Sequence, residues 1–204
     1  MYRWIFVLFL FLNGGMLFAA EMNREDQAIH DDLRALLSGL ENAVNSERYE
    51  ELPQYFHKNM RVTMSNQEVL SSHEDIGKFF DFWFGKDGYL KRVEMTLSAD
   101  ALTELYADKT MGIVRGEGVE NTYLSDSRFF PMKTRWSATV IRDDDGKWRI
   151  LSLHMGVDFL NNPVLNMVEG SGKYLALLGG LGGLLLGLLL GFVFWRKRRI
   201  PVEA

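Results

Sequence analysis

Four histidines, His30, His57, His73 and His154, are the only imidazoles in the chain, and it has no cysteine. A histidine at a pocket mouth can act as acid, base or ligand donor. His154 invites that reading because it closes the last apolar run, where alternation puts it on one side with Trp148, Ile150 and Ser152. A structural histidine bonded to a neighbouring strand is the competing reading. His57 falls at the end of a short helical segment, where the dipole favours a cation, while His30 and His73 read as surface residues. Histidines this scattered, without a short-range pair, argue against a metal site, and no cofactor is expected.

Arg115 and Arg135 lie on alternating segments. Facing inward they would favour a carboxylate or another anionic ligand; facing outward they would be solvated. Trp83, Trp136 and Trp148 fit core positions, and Trp136, beside Arg135, is also a ligand-binding candidate. No nucleophile elbow, phosphate loop or Ser-His-Asp arrangement occurs.

The elements that must position these residues follow from hydrophobic period. Residues 24–46 carry Ile29, Leu33, Leu36, Leu37, Leu40 and Val44 at helical spacing. A shorter helix is predicted over 50–56, then a strand over 61–65, with Asn66 and Gln67 turning the chain back into 68–70. Ser72 and Asp75 make a capping-box-like start for a helix whose Ile76, Phe79, Phe80, Trp83 and Phe84 share a face. Phe82 lies off that face. From Tyr89 the period changes to two, with strands predicted over about 89–97, 110–123, 130–142 and 147–157. In the second of these, Gly112, Gly116 and Gly118 oppose Met111, Ile113, Arg115 and Glu117, a sign of a bulge or close packing. Asp143, Asp144, Asp145 and Gly146 mark a hairpin turn. Helices first and strands last imply α+β, with the helices on one face of a curved antiparallel sheet.

The two ends carry membrane signals. Residues 174–195 are 22 consecutive uncharged positions, followed by Arg196, Lys197, Arg198 and Arg199. A helix of that length is ~33 Å long, enough for a ~30 Å hydrocarbon core. Tyr174 and Trp195 sit where aromatic rings favour the headgroup level, and the basic cluster marks the cytoplasmic side. Residues 1–20 read as a signal peptide, with Arg3 in the n-region and Ala19-Ala20 at the exit; an uncleaved anchor is the rival. The expected organisation is therefore signal peptide 1–20, extracytoplasmic domain 21–162, polar linker 163–173, single-pass helix 174–195 and basic tail 196–204. A bacterial cell membrane, with the domain in the periplasm or outside and the C-terminus in the cytoplasm, fits that order. Gly179, Gly183, Gly187 and Gly191 recur every four residues and make a small-residue stripe suited to helix association.

The chain has 23 Lys+Arg and 27 Asp+Glu; without Arg3, the tail cations and Glu203 the balance is 18 against 26. An acidic domain of this kind argues against nucleic acid and against electrostatic docking on anionic lipid, so the bilayer partner is engaged through the helix. The missing cysteines exclude disulfides, thiolate zinc sites and a cysteine nucleophile.

Three stretches carry a family resemblance: Leu-Pro-Gln-Tyr-Phe-His-Lys-Asn-Met-Arg-Val at 52–62, Ser-Ser-His-Glu-Asp-Ile-Gly-Lys-Phe-Phe at 71–80, and Arg-Trp-Ser-Ala-Thr-Val-Ile-Arg-Asp-Asp-Asp-Gly-Lys-Trp-Arg-Ile at 135–150, running on to His154. Their order resembles the nuclear-transport-factor-2-like superfamily, and within it the SnoaL-like proteins, over about 24–160. The resemblance implies a cone-shaped fold: a bent sheet and three N-terminal helices around a pocket, often dimeric through the sheet. It implies no single activity. Aligned with the superfamily's ketosteroid isomerases, Met64 stands where those enzymes carry their base and Leu40 where they carry a tyrosine donor. Neither residue moves a proton. Met64 is therefore retained as a ligand-binding position beside His154, Arg135, Arg115 and Trp136, with no catalytic residue assigned. The expectation is a membrane-anchored module that binds a small molecule or a protein partner. The alternative is a pocket enzyme of isomerase, hydrolase or lyase type using His154 and Arg135. A C-terminal sorting signal is a further reading of the tail, through its Gly-rich approach, apolar helix and terminal arginines.

Overall fold

A computed structural model describes residues 3–198, with side chains placed for 24–196. Met1, Tyr2 and the tail residues 199–204 lie outside the described residues, as do the side chains of the expected signal peptide. The chain divides into two units, Met1–Asp158 and Phe159–Ala204.

In the first unit, helix α1 (Arg3–Asn45) leads into a 3-10 turn (Tyr49–Tyr55), strands β1 (Phe56–Thr63) and β2 (Val69–Leu70), and helix α2 (His73–Phe84). Strands β3 (Leu90–Ala99), β4 (Glu104–Tyr106), β5 (Met111–Leu124), β6 (Phe129–Arg142) and β7 (Trp148–Val157) complete it. The sheet order is β2-β1-β7-β6-β5-β3, with β4 also on β5. The expected α+β architecture is present, with one departure from an antiparallel sheet: β1 runs parallel to β7, so the sheet is mixed.

Local chemistry explains the element ends. The Ser72 hydroxyl accepts the Asp75 N–H at 3.2 Å, and the Asp75 carboxylate accepts the Ser71 N–H at 2.9 Å, capping α2 as its spacing predicts. Ile76 and Phe80 of α2 are buried, and Phe82 is 71% exposed. The predicted second helix tightens into a 3-10 turn containing Pro53, which cannot donate a backbone bond. Phe56 then belongs to β1, and His57 with it; its Nδ1 accepts the Asn59 N–H at 3.1 Å rather than serving a helix end. Gly146, at φ +79°, takes the left-handed turn position between β6 and β7 that a side chain would strain. Strand β4, three residues long, carried no readable alternation.

The main core joins α1 (Ile29, Leu33, Leu40, Ala43, Val44) to the inner sheet face (Met60, Val62, Val93, Val140, Ile150). A smaller cluster is made by Trp136, Ala138 and Met155. Strand β3 is an outer strand of the sheet, and α1 satisfies part of its backbone. Glu41 accepts the Leu97 N–H at 2.8 Å, and Asn45 bonds the Met95 backbone. Outer strands left bare invite pairing with other chains.

In the second unit, helix α3 (Pro163–Arg198) is long and apolar enough to cross a membrane. It begins at Pro163, so the polar linker expected over residues 163–173 is helical. Proline suits a first helical position, where its missing N–H costs nothing, and Asn162 accepts the Leu165 N–H at 2.9 Å as the cap.

Candidate binding cavity

The inner face of the sheet and α1 enclose a cavity of about 450 Å³. Its walls are Leu33, Leu36, Leu37, Leu40 and Val44 from α1, with Met60, Val62, Met64, Met95, Val114, Trp136, Ala138 and Met155 among the sheet residues. Arg34, Ala101 and Leu102 also line it and are exposed, which marks the open end. The polar side chains among the described lining residues are His30, Arg34, Ser98 and Thr103, and no carboxylate lines it. His30, read from sequence as a surface residue, is half-buried at this lining.

Two glycines shape the walls. A Cβ at Gly116 would stand 2.1 Å from the Ser98 carbonyl and 2.3 Å from the Trp136 indole, so only glycine lets the ring lie flat on β5. At Gly112 the neighbours would be Thr103 and Val140 side chains. The indole N–H of Trp136 donates to the Glu117 carbonyl at 3.0 Å, fixing the ring.

Of the five sequence-selected ligand positions, Met64 and Trp136 line the cavity. Leu40, standing where the resembled isomerases carry a tyrosine, lines it as well. His154, Arg135 and Arg115 do not. Strand β7 pairs Ile150 with Val140 but Ser152 with Thr139, which leaves Leu151 as an extra residue in a β-bulge. Side chains alternate with period two, so one extra residue exchanges the faces beyond it. Trp148 and Ile150 face inward, and past the bulge Leu153 and Met155 do so, while Ser152 and His154 face outward. The expected shared side for Trp148, Ile150, Ser152 and His154 is thereby corrected.

His154, Ser137 and Arg115 form one cross-strand row on the outer face, since Ser137 is opposite both. Arg135 is also on this face, 58% exposed, and forks onto Asp100, with Nη1 donating to Oδ1 at 2.9 Å. That guanidinium holds the Asp100 carboxyl below the usual carboxylate range. Arg135 is thus an outer-face ion-pair residue rather than an anion site within the cavity. Among the described residues no three His, Asp or Glu side chains gather as a metal site requires.

Within the second unit, and beyond the helix's own backbone, no described atom lies within 4 Å of a Cβ added at glycines 179, 183, 187 and 191.

Sequence reasoning missed Glu120. It lies inward on β5, opposite Met95 and Met132, and accepts the Ser65 hydroxyl at 3.3 Å. Burial pushes its carboxyl above the ordinary range, and the Ser65 bond opposes that only in part. The signal was legible: counting by twos from Gly112 through Gly118 reaches Glu120 on the glycine side.

No protein-family model matches the chain, and no curated protein matches it in sequence. Solved structures do match. The chain is similar to a scytalone dehydratase candidate from Novosphingobium aromaticivorans, at 12% identity and TM-score 0.57, over 67% of this chain and 89% of that one. It is similar to the type 2 hexachlorocyclohexane dehydrochlorinase LinA, at 11% identity and TM-score 0.56, over 67% and 90%. Aln2 from a Streptomyces species matches at 12% identity and TM-score 0.54, over 65% and 93%. At these identities the likeness is one of fold: the chain has the SnoaL-like, nuclear-transport-factor-2-like fold.

Proposed function

We propose that this protein is a membrane-tethered binding module whose cavity holds an apolar small molecule. The observation that carries the reading is the cavity itself: about 450 Å³, walled by aliphatic, methionine and tryptophan side chains, with no carboxylate among its described lining residues. Volumes and linings of this kind suit ligands held by burial, with few polar groups to orient them. The positions where the resembled isomerases carry a base and a tyrosine donor are Met64 and Leu40, and both line the space. The names of two structural neighbours speak of enzymes. An enzyme built on His154 and Arg135 has no support, because both side chains are on the face away from the cavity.

Helix α3 is the tether in this reading, with Arg196 to Arg199 on the cytoplasmic side and the domain outside a bacterial membrane. The stripe of Gly179, Gly183, Gly187 and Gly191 would let two copies associate. Isoleucine at positions 183 and 187 should then abolish self-association in a membrane reporter assay.

The cavity is tested on the full chain in lipid nanodiscs. Extraction and mass spectrometry should find an apolar molecule enriched over empty discs, and Ala138→Phe, which fills the space, should remove it. Equal retention by the wild type and the filled variant would overturn the reading.

A further inference from the structure

The inner face holds a carboxylate with no partner for one of its oxygens among the described residues. Among the described residues, Glu120 Oε1 is buried without a hydrogen-bond partner, and so is Thr134 Oγ1, on a residue only 3% exposed. They are neighbours across β5 and β6: Thr134 is opposite Gly118, and Glu120 is the next inward residue along β5. A Cβ at Gly118 would meet Thr134 Oγ1 at 2.9 Å, so glycine there keeps the hydroxyl close to the β5 backbone. Ser65 reaches Glu120 Oε2 from the β1–β2 turn. Among the described residues no lysine or arginine influences Glu120; burial and Ser65 are its two perturbers.

The cluster adjoins the cavity. Met95, the partner of Glu120 in register, lines the space, and Ser65 directly follows Met64, which lines it too. Methionine side chains have three rotatable bonds and yield readily, so a ligand seated in the cavity can reach Glu120 by displacing a thioether. Two unpaired buried oxygens on diagonally neighbouring inward residues are costly unless something donates to them. A neutral alcohol would donate once and leave any carboxylate charge unbalanced. An ammonium has three donors and cancels the charge.

Resting on the reading that the cavity binds an apolar molecule, we infer that Glu120, Thr134 and Ser65 form a polar subsite for the protonated nitrogen of an apolar amine. The aromatic or aliphatic body of that amine fills the methionine- and leucine-lined space, and the ammonium donates to Glu120 Oε1 and Thr134 Oγ1.

The test uses the full chain in phosphatidylcholine nanodiscs and two isosteric probes, 1-naphthylmethylamine and 1-naphthylmethanol, titrated calorimetrically at neutral pH against empty-disc blanks. The amine should bind the wild type about tenfold or more tightly than the alcohol, the increment of a charge-assisted hydrogen bond. Glu120→Gln should erase that preference and keep alcohol binding. Thr134→Val should reduce amine affinity several-fold, and it decides the matter if Glu120→Gln does not fold. Equal affinities in the wild type, or a preference that survives the variants, overturn the subsite and leave the cavity reading intact. Binding of neither probe overturns both.

Discussion

The Asn45 side-chain amide exchanges two hydrogen bonds with the backbone of Met95, donating to its carbonyl at 2.8 Å and accepting its N–H at 2.7 Å. One residue at the end of α1 thus fixes the helix against β3 and satisfies the outer strand that walls the cavity. Asn45→Ala leaves both Met95 groups without a protein partner, at a cost of about 2 kcal/mol. Denaturant unfolding of the full chain in nanodiscs, followed by tryptophan fluorescence, should show that loss. An unchanged midpoint would mean the pair contributes nothing.

Glycine substitutions should separate cleanly by place. Gly116→Ala drives a methyl into the Ser98 carbonyl and the Trp136 ring, and overpacking of this kind costs about 3 kcal/mol. Gly77 lies inside α2 with nothing within 4 Å of an added Cβ. Gly77→Ala should stabilise by up to about 1 kcal/mol, the helix-propensity difference. The opposite signs are read from the same unfolding curves.

Glu120 gives a pH dependence of definite sign. Its folded carboxyl is raised above the ordinary range by burial, so between the unfolded and the folded value the folded state binds more proton than the unfolded chain. The contribution to stability is fully present below the unfolded value and is lost as pH rises through the folded one. Glu120→Gln removes that loss. In the absence of added ligand, the variant should therefore gain on the wild type steadily as pH rises out of the carboxylate range. Unfolding midpoints measured across that range check it, and parallel curves would contradict it.

His154 faces away from the cavity, in one cross-strand row with Ser137 and Arg115. His154→Ala should leave 1-naphthylmethanol affinity unchanged within error, whereas Ala138→Phe should abolish it. A large loss in His154→Ala would require the histidine to act on the cavity through the sheet.

Much of the fold was legible because its signals are local. The Ser72–Asp75 cap, the Ile76/Phe80 face of α2, the Gly146 turn and the alternation of β5 each depend on a few adjacent residues. The pairing of β1 with β7 was hidden because parallel partnership across nearly a hundred residues leaves no local mark. In the cavity, Met64 was found through the family resemblance and Trp136 through its place beside Arg135. His154 was misplaced because a bulge is a relation between two strands: nothing in the run Trp148 to Met155 says that Leu151 goes unpaired. Glu120 was passed over because Gly116 and Gly118, which precede it on the same face, read as packing features rather than as a clearing before a carboxylate.

The bulge at Leu151 has a further consequence for how this scaffold can change. Gaining or losing a single residue in the distal half of β7 would interchange its inward and outward sets at once. An imidazole already present in the chain would then enter the cavity while two apolar residues moved to the surface. A family sharing this strand could thus acquire or discard a reactive lining by a one-codon insertion or deletion, with no chemical substitution at all.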